Sequence, residues 1–176
     1  SNIVGIRFKP GMAYPFLRTP IQKLTDLRVD YFEFAGKKAN QLSNQLAEMK
    51  STKHQIAFLN HIFKKKLSSE LGSIEPQVLK AITLINRSKG KPSIRQISDE
   101  ISWSRQHLTR KCLKYTGLSP KFLTQIIRLK EVIKQYKTEN FCGWSQLSLT
   151  GGYYDQSHMI NEFKKLTGLT PIEFLN

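Results

Sequence analysis

Cysteine is nearly absent from this chain: among 176 residues only Cys112 and Cys142 carry a thiol. Two thiols cannot build a disulfide framework and are too few for a cysteine-rich zinc site, so a reducing cytoplasm is the expected compartment. No run of about 18 apolar residues occurs, which excludes a membrane-spanning helix. The opening Ser1-Asn2-Ile3-Val4-Gly5 lacks the basic start and apolar stretch of a signal peptide, and it lacks an initiator Met. The chain therefore reads as a fragment whose upstream sequence is missing. Glycine-rich phosphate loops and nucleophile motifs are also lacking, so no catalytic residue, cofactor or metal is expected and the chain does not read as an enzyme. Acids are the remaining shortage: 13 Asp and Glu stand against 28 Lys and Arg, giving a net charge of +15 and a pI near 9.9.

What is present describes a folded protein, with 39% apolar and 23% charged residues and room for one ordinary domain or two small ones. A basic surface attracts polyanions, because each neutralised phosphate releases condensed counterions. A merely basic soluble protein carries the same charge, so charge alone selects nothing.

The basic excess is spread along the chain: residues 1–70 hold 12 basic and 5 acidic groups (+7), and residues 71–176 hold 16 and 8 (+8). After Lys64-Lys65-Lys66 the chain turns small and polar, and residues 68–74 read as a linker between an N-terminal part, 1–70, and a domain over 71–176. In the first part Val4, Ile6 and Phe8 alternate and predict a short strand, ended by Lys9-Pro10-Gly11. Residues 11–34 read as mostly loop with short helical turns. Ala39, Leu42, Leu46 and Met49 predict a helix over 35–49. Ile56, Leu59, Phe63 and Leu67 predict another over 53–67, behind Thr52-x-x-Gln55, a capping-box pattern. A lone strand cannot bury its own face, so this part is expected to be the small α+β end of something larger.

The second part reads as almost wholly helical. Val78, Leu79, Ile82 and Ile85 mark a helix ending at Lys89-Gly90, and Ile94, Ile97 and Ile101 mark one over about 93–101. Ser104 caps a third, which runs to about Tyr115 and is stopped by Gly117. The fourth, about 119–137, carries the stripe Phe122, Ile126, Leu129, Ile133, Tyr136, the spacing of a buried face. Helices over 144–151 and 155–166 follow, then a short one from Thr170-Pro171.

The third and sixth of these helices are copies. Residues 104–120 align with residues 155–171 at an offset of 51 without a gap: a capping Ser or Asp, His107 and His158, apolar Leu108 and Met159, then Thr-Gly-Leu-Ser/Thr-Pro. In that last run Gly stops one helix, and a hydroxyl residue with Pro starts the next. Ile97-Ser98 and Leu147-Ser148 hold matching places upstream, and the second turn has one extra residue. Each copy is a short helix, a tight turn (Ile101-Ser102-Trp103, or Gly151-Gly152-Tyr153-Tyr154) and a longer helix, which is a helix-turn-helix. The fold expected is mainly α, with two such units over about 93–117 and 144–168 joined by a long helix. The plainer alternative is a helical hairpin within an all-α bundle.

These residues resemble the DNA-binding domain of the AraC/XylS family of bacterial transcription regulators. In the first unit the matching pieces are Ile97-Ser98, Ser104-x-x-x-Leu108-x-Arg110, Thr116-Gly117-Leu118-Ser119-Pro120 and Arg128. In the second they are Leu147-Ser148, Gly152 to His158, Phe163-Lys164, Thr167-Gly168-Leu169-Thr170-Pro171 and Phe174-Leu175. The likeness covers residues 75–176. Residues 3–67 resemble, less specifically, the end of the sensory domain of one subgroup, through Gly5-Ile6-Arg7-Phe8-Lys9-Pro10-Gly11 and the helix pair after it. The resemblance implies a bacterial regulator, commonly an activator, that binds double-stranded promoter DNA and works with RNA polymerase. It also implies a small-molecule effector acting through the incomplete N-terminal part, and a homodimer in the full-length protein.

A major groove about 12 Å wide admits one helix, whose first turns reach base edges. On the third helix Gln106, Thr109 and Arg110 share an outward face. Arg110 suits guanine and Gln106 suits adenine, and all three match positions at which relatives contact bases. The equivalents on the sixth helix are Gln156, Ser157 and Asn161. Asn161 stands where many relatives carry Arg, and Glu162 is expected to set an acid near phosphates, so the second unit is the weaker base reader. Phosphate candidates are Arg105, Lys111, Lys114, Lys121, Arg128 and Lys165, although Arg128 also suits an ion pair between helices. A connecting helix of about 20 residues spans roughly 30 Å, close to the ~34 Å of one duplex turn. Both recognition helices would then enter successive major-groove segments.

Other constellations read as structural. His107, His158, and the pair His54 and His61 lack further metal ligands; Cys112 reads as a core thiol; Trp103, Tyr153 and Tyr154 read as turn packing. Two competing functions remain. One is nonspecific binding of nucleic acid or an anionic membrane through helices such as 53–67. The other is the DNA-binding part of a DNA-repair methyltransferase, which needs a cluster of metal-held cysteines.

Overall fold

The computed structural model describes residues 5–138 and 143–175. The chain divides into two compact units, residues 1–76 with 111–117, and residues 77–110 with 118–176.

The first unit contains α1 (Tyr14–Leu17), α2 (Phe32–Ala35), α3 (Lys37–Glu48) and α4 (Thr52–Glu70), with 3-10 turns at Ile21–Leu24 and Leu71–Ser73. Its core is aromatic. The rings of Phe8, Phe16 and Phe63 meet with centroids 4.9 to 5.8 Å apart, beside the buried Leu59 and Pro15. The strand expected around Ile6 and Phe8 is not formed in the described residues, and Ile3 and Val4 lie outside them. A strand needs a partner ladder for its backbone groups, whereas Phe8 is held through its ring. The linker expected at 68–74 is also corrected: α4 continues to Glu70 and passes straight into the 3-10 turn.

The capping box expected at Thr52 does not form. Ser51 is the cap residue of α4 and makes no side-chain cap bond. Gln55 reaches back instead and donates to the carbonyls of Leu46 (2.9 Å) and Met49 (3.2 Å), satisfying the open C-terminal end of α3. A true capping box stands on another helix, at Ser93 and Gln96, where the hydroxyl residue is Ser instead of Thr.

The second unit holds nearly all of α5 (Pro76–Arg87), with α6 (Ile94–Glu100), α8 (Pro120–Tyr136), α9 (Trp144–Thr150), α10 (Gln156–Thr167) and α11 (Pro171–Leu175). The helix α7 (Arg105–Thr116) begins in this unit, and its last turns count with the first. One apolar cluster is Val132, Leu147, Tyr153, Met159 and Phe163, with Leu129, Ile133, Tyr136, Trp144 and Leu175 packed against them. Also buried are Val78, Ala81, Ile82 and Ile85 of α5, Ile97 and Ile101 at α6, Leu108 and Leu123. Along α8 the buried positions do not form a single stripe. Phe122, expected inside, is exposed, and Leu123, Thr124 and Val132 are buried in its place. At 17 residues, about 25 Å long, α8 is also shorter than expected.

Gly90 is one position where glycine is required. Its φ is +73°, and a Cβ there would lie 2.4 Å from the carbonyl oxygen of Thr124 and 3.1 Å from the amide nitrogen of Arg128. The loop after α5 therefore packs directly on the backbone of α8, where the Lys89–Glu131 ion pair at 2.6 Å also ties it.

Candidate nucleic-acid interface

The repeat seen in the sequence is a repeat in space. In each copy the short helix ends with the same backbone bonds: Ile101 N to Ile97 O (3.2 Å) and Trp103 N to Ser98 O (3.0 Å), then Gly151 N to Leu147 O (2.9 Å) and Tyr153 N to Ser148 O (3.0 Å). Ser98 and Ser148 are both buried. The chain turns through a left-handed residue in each, Ser102 at φ +57° and Gly152 at φ +79°. Ser104 Oγ then accepts from His107 N (3.2 Å) and Asp155 Oδ1 from His158 N (2.7 Å), capping α7 and α10. Between the equivalent Trp103 and Tyr153 and these caps the first copy has no residue and the second has one, Tyr154.

Both long helices bury the same face, through Leu108 and Cys112 in α7 and Met159 and Phe163 in α10. Burial without any charge partner pushes the Cys112 thiol up to about 12. The histidines pack as expected. His107 meets the Trp103 ring edge-on at 4.5 Å and His158 meets Tyr153 at 5.5 Å. Among the described residues no three of His, Cys, Asp and Glu gather as a metal site.

The polar leading edges differ. On α7 Gln106 and Arg110 are exposed and line an open cleft with Ser104 and His107. Arg110 Nη2 lies 3.2 Å from His107 Nδ1. Thr109 is half-buried and donates to the Arg105 carbonyl at 2.9 Å. On α10 Ser157 and Asn161 are exposed, whereas Gln156 is half-buried, its Oε1 accepting from Ser145 Oγ at 2.9 Å.

The basic residues separate into two sets. Arg105, Lys121 and Lys165 are exposed. Lys111 is not a free cation: only 18% of its side chain is accessible, and it pairs with Glu75, which also accepts from Tyr115 Oη at 3.1 Å. Lys111, with the Tyr115 hydroxyl adding to it, holds the Glu75 carboxyl below the usual carboxylate range. Lys114 is half-buried, its ammonium 4.9 Å from the Tyr115 ring centre and 5.3 Å from that of Tyr14. Arg128 takes the ion-pair alternative. Arg128 Nη2 and Gln125 Nε2 each donate to Glu162 Oε2 at 2.9 Å, and the guanidinium lies 5.0 Å over the Tyr153 ring. The side chains of Arg128 and Glu162 are 15% and 5% accessible, and burial beside Glu162 pushes the Tyr153 phenol well above its ordinary range.

Two expectations are therefore corrected. Glu162 points inward and sets no acid against phosphates, because its helix face is the one that meets α8. Tyr154, expected as turn packing, is 87% exposed, because the extra residue carries it out of the turn. The knot of Arg128, Gln125 and Glu162 was the least legible feature. Its sequence signal is an acid at the same repeat position as Lys111, on a face otherwise apolar.

These two units, each with a capped second helix presenting a polar edge, define a helix-turn-helix protein. Residues 97–176 match the profile of the helix-turn-helix domain family. Among solved structures the chain is similar to the C-terminal domain of AraT, a response regulator from Geobacillus stearothermophilus. The identity is 20% and the TM-score 0.53, and the match covers 58% of this chain and 85% of that one. No curated protein matches the chain. Residues 97–176 are thus a helix-turn-helix domain, the kind of module carried by DNA-binding transcription regulators. Among the described residues no helix is long and apolar enough to cross a membrane.

Proposed function

We propose that the chain binds promoter DNA sequence-specifically, with α7 and α10 entering successive major-groove segments. The observation that supports this most directly is the exposed edge of α7, where Gln106 and Arg110 stand beside each other at an open cleft on the first turns. Arg110 is assigned to guanine, Gln106 to adenine, and Thr109 to a supporting contact. Ser157, Asn161 and Gln156 form the weaker second reading edge. Arg105, Lys121 and Lys165 carry the phosphate contacts, and Lys114 adds to them through its half-exposed ammonium. Lys111 and Arg128 leave that set because each is already paired with a carboxylate. RNA polymerase is the partner this reading implies, and residues 1–70 are the trailing part of a sensory domain through which an effector and a second copy would act.

The test is DNA selection followed by substitution. Sequences are selected from random duplexes with the parent chain, and Arg110→Ala is then measured on the selected and a scrambled site. Loss of about 1–3 kcal/mol on the selected site alone supports base reading. Equal weakening on both sites overturns it and favours the nonspecific alternative, in which all sequences bind alike and affinity collapses together as salt rises.

A further inference from the structure

Tyr154 has no counterpart in the first copy. The two turns make corresponding bonds, from those to Ser98 and Ser148 through the left-handed residues to Trp103 and Tyr153, and again from the caps Ser104 and Asp155 onward. Tyr154 is the single residue between, and at 87% exposure it is the most accessible of the large apolar side chains in the described residues. Its backbone is fixed, with N–H donating to His158 Nδ1 at 3.4 Å, while that imidazole is itself packed on Tyr153. Its phenol stands in water directly before a recognition helix and buries little surface in the fold. Scattered exposed aromatics are ordinary, but this one stands at the end of α10 that the proposed reading brings to the duplex.

The charge of the two edges says what it would meet. The turn and first three turns of α7 bring Arg105 and Arg110 to the surface. The same stretch of the second copy, residues 151–163, contains no Lys or Arg, and its two acids are Asp155, which caps the helix, and Glu162, which is buried. A neutral edge needs another donor to anchor it on DNA, and a Tyr hydroxyl is among the side-chain groups that bind phosphate oxygens.

We infer that Tyr154 is a DNA-backbone contact: its hydroxyl donates to a phosphate beside the major-groove segment entered by α10, standing in for the cation that residues 151–163 lack. The inference rests on the proposed reading of α10. It differs from a Lys or Arg contact in one measurable respect, since a neutral donor releases no counterion and leaves the salt dependence of binding unchanged.

The experiment uses the whole chain and a duplex carrying the sequence best selected from random DNA. Tyr154→Phe is expected to weaken binding about fivefold and Tyr154→Ala about tenfold, with the slope of log affinity against log salt unchanged and thermal stability unchanged. Replacing the contacted phosphate by an uncharged methylphosphonate, scanned along the second half of the site, should abolish the difference between parent and Phe variant at one position. Parent-like binding by Tyr154→Ala overturns the inference, as does a Phe variant that binds like the parent. If the parent chain prefers no sequence, base reading fails, yet the Tyr154 contact is still scored on any duplex because a phosphate contact does not depend on the bases.

Discussion

The two helix-turn-helix copies share a frame and differ in chemistry. Caps, turn, buried face and terminal glycine recur: Gly117 and Gly168 both have positive φ, and both donate to the carbonyl four residues back. What differs is the charge placed on that frame. Residues 93–117 carry Arg95, Arg105, Arg110, Lys111 and Lys114 against Asp99 and Glu100, whereas residues 144–168 carry Lys164 and Lys165 against Asp155 and Glu162. One backbone thus supports a cationic edge and a neutral one, because edge residues contribute little to packing and are free to vary.

The position that most separates the copies is Lys111 against Glu162. Glu162 and its partner Arg128 are almost wholly enclosed, while Glu75 beside Lys111 remains partly accessible. Breaking a buried pair leaves an uncompensated charge in a poor solvent. Arg128→Ala should therefore cost about 3 kcal/mol of stability, read by urea unfolding, and Lys111→Ala about 1 kcal/mol. Equal losses would erase the distinction drawn between the two latches.

DNA binding provides the next contrast. Arg110→Ala should cost about 2 kcal/mol of discrimination between selected and scrambled duplexes, and the equivalent Asn161→Ala less than about 1 kcal/mol. If Asn161 proves the larger, the second copy is the principal reader and the ranking reverses.

Acid provides a smaller effect. Lys89 holds the Glu131 carboxyl below its ordinary range, as Lys111 does for Glu75. A depressed folded-state pKa gives stability that is present above the unfolded value and lost as pH falls through the folded one. Thermal midpoints should therefore drop on the acid side of about pH 4, and Glu131→Gln should start lower at neutral pH and fall less. A variant that falls as steeply as the parent would remove Lys89–Glu131 as a cause.

The smallest expected signal is chemical. With Cys142 replaced by Ser, Cys112 is the remaining thiol. With its pKa raised to about 12, it should react with a thiol reagent at neutral pH only as the chain unfolds. Rapid labelling of the native state would contradict the burial that Cys112 shares with Phe163.

Much of this was legible because it is written in local chemistry. The second unit's helices, the caps Ser104 and Asp155, the inward Leu108, Cys112, Met159 and Phe163, and the outward Gln106 and Arg110 all follow from spacing and from residues whose preferences act within one helical turn. Local pattern gives way where a side chain answers to a distant partner. Gln55 bonds the end of the preceding helix instead of its own cap. Phe122 is exposed and Leu123 buried, so the buried positions of α8 depart from the periodic stripe. Phe8 joins an aromatic trio instead of a strand.

By itself, then, the sequence determined the duplicated helical unit, its caps and turns, and the identity of the exposed cationic edge, since each depends on neighbours a few residues away. Only the tertiary structure decided which charges remain free. Lys111 and Arg128 are basic in any reading, but whether a cation faces water or a carboxylate depends on what another segment brings beside it, and no local pattern records that.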